Sequence, residues 1–226
     1  MPSETIEDYL KAIYHLQRTE GPPVSTSAVA DRLDVTPPTA TSMLKKLAAE
    51  GLLDREEFAG VEVTDAGEAI ALEVIRHHRL IERFLADELD YDWTAVHDEA
   101  DALEHHISEQ FEDRLAEALG DPAHDPHGDP IPTAELDPIG PERSRPLVGV
   151  DPGTHAQIAR VADRDADQLE YLAERGIEPG CLITVLAHTP IDTVAIDGPA
   201  GRVEIPVGIA ESIRVHAEAD PEAVHG

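Results

Sequence analysis

The sequence has little cysteine, little lysine and no long apolar run, and each shortage excludes something. A single cysteine, Cys181, among 226 residues excludes an intramolecular disulfide framework and any cysteine-rich zinc module. No apolar stretch approaches the about 18–20 residues that cross a bilayer. The opening MPSETIEDYL carries neither a basic nor an apolar leader segment, so a cytoplasmic protein without a membrane partner is expected. Lysine occurs three times, as Lys11, Lys45 and Lys46, within 17 basic residues set against 47 acidic ones, a formal net charge of −30. An acidic surface ordinarily repels nucleic acid. The acid is spread evenly, however: residues 1–75 hold 14 acidic and 6 basic groups, 76–146 hold 19 and 6, and 147–226 hold 14 and 5. An acidic tail would be concentrated, and the even spread reads as a halophilic surface. In molar salt the Debye length is about 3 Å, so this charge does not forbid DNA binding.

What is present falls into three segments, enough for one large or two small domains with a real core. Residues 4–18 place Ile6, Leu10, Ile13 and Tyr14 at helical spacing, and Gly21-Pro22-Pro23 ends that helix. Ser25 or Ser27 can cap a short helix, Ala28 to Leu33. After the turn Asp34-Val35-Thr36, the pair Pro37-Pro38 suits the opening of the next helix, which runs to Glu50 and stops at Gly51. Leu52 to Arg55 and Val61 to Thr64, around Ala59-Gly60, then form a short hairpin. This order is a winged helix-turn-helix, whose second helix would enter the major groove of double-stranded DNA. Thr36, Pro38, Thr39, Thr41 and Ser42 would stand near base edges, with Lys45 and Lys46 reaching phosphate. An αα-hairpin packed within an enzyme is the competing reading.

The middle segment reads as two long helices, Ala66 to about Leu89 and Thr94 to Leu119. His78 and Glu82 share a face of the first at i, i+4. His97, Asp101, Glu104 and His105 form one stripe on the second, flanked by Val96, Ala100, Leu103 and Ile107, which need burial. Two imidazoles and two carboxylates cannot be buried bare without a large desolvation cost, and a divalent cation is the simplest compensation. Nitrogen and oxygen donors without thiolate point to Mn(II) or Fe(II), with Zn(II) and Co(II) also accepted. His15, His124, His127, His216 and His225 are expected to be solvated. A wet helical stripe is the plainer alternative.

Four pieces in order carry a resemblance: residues 7–14 (EDYLKAIY), 78–84 (HRLIERF), 96–108 with its Val96-His97-Asp98-Glu99-Ala100 and Leu103-Glu104-His105-His106-Ile107-Ser108, and 126–132 (PHGDPIP). Over most of its length the chain resembles the metal-dependent diphtheria-toxin-repressor family of iron and manganese regulators, in a haloarchaeal variety. The resemblance implies a homodimer on a palindromic operator, repressing metal-uptake genes, with two metal sites near the dimer interface. One site would use His78, Glu82 and His97, completed from the third domain by Asp163. The other would use Asp8, Asp101, Glu104 and His105 and tie the DNA-binding helices to the dimerisation helices. Oxygen donors at Asp8 and Asp101, where the iron-responsive branch has Met and Cys, favour Mn(II) over Fe(II). Lys11 stands where the manganese branch tends to be acidic, and Arg160 stands where a ligand is expected. Asp125 and Asp129 replace neutral residues beside Arg79, at odds with a bound phosphate.

Eight prolines between residues 121 and 152 favour a stiff, extended connector. Beyond it, strands at 156–161, 182–186, 193–196, 202–205 and 212–215 and a helix from Asp165 to Arg175 suggest a small β-barrel, which resembles the family's SH3-like (FeoA-like) third domain. The expected fold is therefore α+β: a winged helix-turn-helix (1–65), a helical metal-binding and dimerisation domain (66–120), a Pro-rich linker (121–147), an SH3-like β-barrel (148–217) and a flexible tail (218–226). Two other functions fit the same stripe: a metalloenzyme that activates water, and a metal buffer uncoupled from DNA. The first lacks a visible nucleophile or phosphate loop, and Asp8, beside the DNA-binding unit, argues against the second.

Overall fold

The computed structural model describes residues 3–56, 60–140, 143–162 and 165–217. Asp163, His225 and the expected tail lie outside them. The chain divides into two compact units, Met1–His78 with Leu103–Glu112 and Pro132–Pro138, and Arg79–Ala102 with Asp113–Ile131 and Ile139–Gly226.

In the first unit, α1 (Glu4–Glu20) buries Ile6, Leu10, Ile13 and Tyr14 on one face and ends at Gly21. In α2 (Thr26–Arg32) the Ser25 hydroxyl accepts the Ala28 N–H at 3.1 Å. Thr36 caps α3 (Pro37–Ala49), whose Ala40, Leu44 and Leu47 are buried. Strands β1 (Leu53–Glu56) and β2 (Gly60–Val63) pair antiparallel, with Val24 bridging to Val61. On this wing Asp54 stands directly opposite Glu62, a like-charge pair that costs stability at low salt. Helix α4 (Asp65–Glu88) starts tight against the wing: a Cβ on Gly67 would lie 2.1 Å from the Leu52 carbonyl oxygen.

The second long helix of the sequence reading is two helices, α5 (Val96–Leu103) and α6 (Glu109–Leu119). The break has a local cause. The Leu103 carbonyl accepts the His106 N–H at 2.9 Å and closes a turn, while the Ser108 carbonyl and hydroxyl accept from Phe111 and cap α6, as serine prefers. The i, i+4, i+7, i+8 stripe therefore does not exist as one helical face, and Leu103 is exposed rather than buried.

In the second unit, the Pro-rich stretch is not simply an extended connector. Residues 123–131 turn back on themselves: Ile131 N–H donates to Ala123, Asp125 N–H to Asp129 and Gly128 N–H to Asp125. Asp125, His127, Asp129 and Ile131 are buried, so the expectation of a solvated His127 is overturned. Beyond it, β3 (Arg145–Pro146), a 3-10 turn at Leu147–Gly149, β4 (His155–Val161), α7 (Ala166–Ala173), β5 (Leu182–Thr189), β6 (Thr193–Gly198), β7 (Gly201–Pro206), α8 (Val207–Ala210) and β8 (Ile213–Ala217) complete the unit. The six strands form one antiparallel sheet, ordered β3-β8-β4-β5-β6-β7. Ile158, Val161, Leu169, Leu172, Ile183, Val185, Ile196, Ile205, Ile213 and Val215 close its core. Among the described residues, no helix is long and apolar enough to cross a membrane.

Candidate metal centre and nucleic-acid surface

Among the described residues, each unit assembles a group of carboxylates and imidazoles of its own. In the first, α1 supplies Glu7 and Asp8 and the turn after α5 supplies Glu104 and His105. The donor atoms of Asp8, Glu104 and His105 lie within 4.8 Å of one another. His105 Nδ1 is 2.7 Å from Glu7 Oε2, its Nε2 is 3.0 Å from Asp8 Oδ1, and Glu104 Oε1 is 3.4 Å from Nε2. A neutral imidazole that donates from Nδ1 to Glu7 presents a bare Nε2 lone pair to two carboxylates. That arrangement needs a cation, either a second proton on the ring or a metal ion, and a carboxylate behind the imidazole is how metal-ligating histidines are oriented. The donor set thus fits a hard or borderline divalent ion.

Glu104 is buried, and its carboxylate accepts Lys11 Nζ at 2.9 and 2.7 Å and faces His78 Nδ1 at 2.6 Å. Burial pushes this carboxyl up, but His78 and Lys11 outweigh it and hold it below the usual value. Asp8 is raised by its own burial, against the pull of His105. Behind the turn, His77 Nδ1 meets the Glu104 carbonyl at 3.0 Å and its Nε2 meets Glu112 at 2.9 Å, while Arg76 pairs with Glu112. Burial lowers the His77 imidazole, and Glu112 more than reverses this. Glu7 stands in the 7–14 piece without a site role, and His77 and Glu112 are absent from the sequence reading, because residues that orient a ligand carry no spacing signature of their own.

The second group joins Glu82 of α4 to Asp125 and His127 of the 123–131 loop, all three buried and with donor atoms within 4.8 Å. His127 Nε2 donates to the Trp93 carbonyl at 2.9 Å, which leaves Nδ1 facing Glu82 Oε2 at 3.5 Å. This is the same lone-pair-to-carboxylate arrangement as in the first group, and it likewise fits a cation. Burial, with Asp129 and Glu82 close by, pushes Asp125 up to about 8: the group carries more carboxylate than its cations balance. His97 approaches Glu82 Oε1 at 3.3 Å and Asp101 at 3.6 Å, and Asp101 is half exposed. Of the residues read from sequence, the structure thus brings Asp8, Glu104 and His105 together, sets His78 on Glu104, and sets His97 between Glu82 and Asp101. The signal for His127 lay in the 126–132 piece of the family resemblance, and Asp125 was read only as a carboxylate beside Arg79.

On α3, Thr36, Pro38, Thr39, Ser42, Lys45 and Lys46 are exposed. The Thr36 and Thr39 hydroxyls bond each other at 2.8 Å, Thr41 donates to the Pro37 carbonyl at 2.8 Å, and Lys46 stands 4.0 Å from Glu50. The outer surface of this helix is thus mostly neutral.

Three family profiles match the chain in succession. These are the iron-dependent repressor N-terminal DNA-binding domain over residues 1–61, the iron-dependent repressor metal-binding and dimerisation domain over 64–133, and the FeoA domain over 145–217. The second reaches past the 123–131 loop. The iron-dependent repressor IdeR of Mycobacterium tuberculosis is 33% identical over 224 residues, covering 94% of this chain and 96% of that protein. The regulator MntR of Oceanobacillus iheyensis is 34% identical over 108 residues, covering 48% of this chain and 72% of that protein. Among solved structures, a manganese-dependent transcriptional repressor in complex with manganese superposes with TM-score 0.84 at 39% identity, covering 94% and 99% of the two chains. ScaR with bound zinc superposes at 0.79 and 33%, covering 95% and 99%. With a winged helix-turn-helix, a helical segment bearing the carboxylate–histidine groups and a FeoA-type sheet in this order, the chain belongs to the iron-dependent repressor family, whose members are transcriptional repressors and not enzymes.

Proposed function

We propose that this chain is a cytoplasmic, halophilic, metal-activated repressor that binds a palindromic operator as a homodimer and controls metal-uptake genes. Mn(II) stands ahead of Fe(II) as its metal. The observation that carries the reading is the convergence of Asp8 and His105: a ligand on the first helix of the DNA-binding domain meets one from the turn after α5, with Glu7 fixing the imidazole. Asp8, Glu104 and His105 would hold one ion, and Glu82, Asp125 and His127 a second, with His97 and Asp101 adding donors and Asp163 supplied from beyond β4. A bound ion supplies positive charge that draws these side chains together. The residues themselves then tie α1 to the 104–105 turn, which fixes how the recognition helix is presented. Thr36, Pro38, Thr39, Thr41 and Ser42 would meet base edges, and Lys45 and Lys46 phosphates.

The exposed Leu103 and Phe111 of the first unit, and Leu89 and Tyr91 of the second, are apolar surface of the kind a homodimer covers. The proposed domains are 1–65, 66–120, a linker at 121–147, 148–217 and a tail at 218–226. Fluorescence anisotropy of a duplex from the promoter of the chain's own gene, in molar KCl, tests the reading. Binding is expected with Mn(II) or Fe(II) and not with chelator. Binding indifferent to metal would reduce both groups to structural roles.

A further inference from the structure

The loop that carries Asp125 and His127 is gripped from two sides. On one side is β4. The Val161 N–H donates to the His127 carbonyl at 2.9 Å. Gly128, at φ +87°, lies so close that a Cβ there would stand 2.0 Å from the Ala159 carbonyl oxygen and 3.0 Å from Arg160 Cα. Both the backbone angle and the approach therefore require glycine. On the other side is α4, whose Arg79 donates Nη1 to the Pro130 carbonyl and Nη2 to Asp129 Oδ1 at 3.0 Å. The second oxygen of the same carboxylate, Asp129 Oδ2, accepts Arg160 Nε of β4 at 2.7 Å. Inside the loop, Asp125 Oδ1 accepts the N–H groups of His127 and Asp129, both at 2.9 Å.

One buried carboxylate thus holds two guanidiniums, one from the helix that carries Glu82 and one from the barrel strand. Arg79 is buried and Arg160 about one-third exposed, and two like charges brought this close are stabilised by an anion between them; Arg79 Nε also lies 3.5 Å from Asp125 Oδ2. Here the anion belongs to the chain. Its neighbours along the loop are Asp125 and His127, so the same clamp that satisfies the arginines fixes where those two side chains point.

We propose that Asp129 is a positioning residue acting as an internal anion: it pins the 125–129 loop between α4 and β4, so that the barrel domain sets how tightly Glu82, Asp125 and His127 take a divalent cation. This rests on the reading above that these three residues hold a metal. Orienting groups behind metal ligands change affinity about 10–100-fold, and Asp129 acts on two ligands at once.

The test uses the full chain, Mn(II) alone as probe, equilibrium dialysis in KCl, and added sodium sulfate as a substitute anion. Wild type is expected to bind two equivalents and to ignore sulfate. Asp129→Asn keeps the shape of the side chain and removes its charge. It should weaken one equivalent by about tenfold or more, speed amide exchange at Val161, and regain that equivalent when millimolar sulfate bridges Arg79 and Arg160. In Asp129→Asn combined with Arg160→Ala, sulfate should no longer restore it. His127→Ala should lose the same equivalent, with or without sulfate. Retention of both equivalents by His127→Ala would overturn the underlying metal reading. Loss in His127→Ala with wild-type affinity in Asp129→Asn would overturn the positioning role alone. A loss in Asp129→Asn that sulfate leaves untouched would overturn the internal-anion account.

Discussion

The two carboxylate–histidine groups share one chemical device and differ in everything around it. In each, one imidazole nitrogen is held by a fixed acceptor, Glu7 for His105 and the Trp93 carbonyl for His127, so that the other nitrogen faces carboxylate. The first group keeps Asp8 half exposed and shares Glu104 with the Lys11 ammonium, whereas Glu82 and His127 have no solvent exposure at all. On the metal reading proposed above, the open group with its resident ammonium would exchange ions readily, and the sealed group on a clamped loop would retain them. The difference teaches how sensing and holding could be divided between two sites built from the same side chains.

Breaking the first group should have the largest effect. His105→Ala or Asp8→Ala is expected to lower Mn(II)-dependent operator affinity by at least about a hundredfold, with little change in circular dichroism. Undiminished binding by anisotropy would remove this group from the sensing role. Glu7→Gln comes next: with the imidazole no longer oriented by a charge, Mn(II) affinity of the first equivalent should fall about tenfold, read by calorimetric titration, while the second equivalent stays as it was. For the sealed group, His127→Ala should remove one bound equivalent and reduce operator affinity only severalfold. Equal losses in His105→Ala and His127→Ala would erase the division of labour.

Acidity separates the groups more gently. Asp125, raised to about 8, carries a proton near neutrality, and that proton is held more tightly folded than unfolded. Its contribution to metal-free stability is present at low pH and fades as pH rises from about 4 towards 8. The metal competes with the same proton, so Mn(II) uptake by the sealed group should strengthen up to about pH 8 and release protons, which titration in buffers of different ionisation enthalpy would detect. A pH-independent uptake would contradict this. The smallest effect concerns salt. With Lys45 and Lys46 as the cations of α3, a dimer would neutralise about four phosphates, and log affinity against log KCl should slope no more steeply than about −4. A slope near −8 would mean that other cations carry the DNA contact.

The winged helix-turn-helix was legible because its signals are local: the apolar face of α1, the Ser25 and Thr36 caps, the prolines opening α3 and the pairing of β1 with β2. Apolar periodicity continued through residues 104–108, however, and could not reveal that Ser108 would start a new helix. The misreading joined into one stripe residues that the structure divides between two groups. His105 was legible as a donor from the stripe and Asp8 from the family resemblance, while the role of Glu7 was not, since it depends on the imidazole that α1 meets 98 positions later. His127 was hidden by composition. A proline-rich, histidine-bearing stretch reads as solvated connector, and only the contact of Gly128 with β4 and the folding of the Asp125 carboxylate onto its own loop place that ring in the interior.

The Asp129 clamp has a consequence for where such a protein can operate. A free anion between two arginines would come and go with its concentration in the medium and would compete with every other anion there. A carboxylate carried by the chain has an effective concentration fixed by its tether, which chloride or phosphate outside cannot dilute or displace by mass action. On that proposal the sealed group would be insulated from the anion composition of the cell, and what it responds to would be narrowed to cations alone.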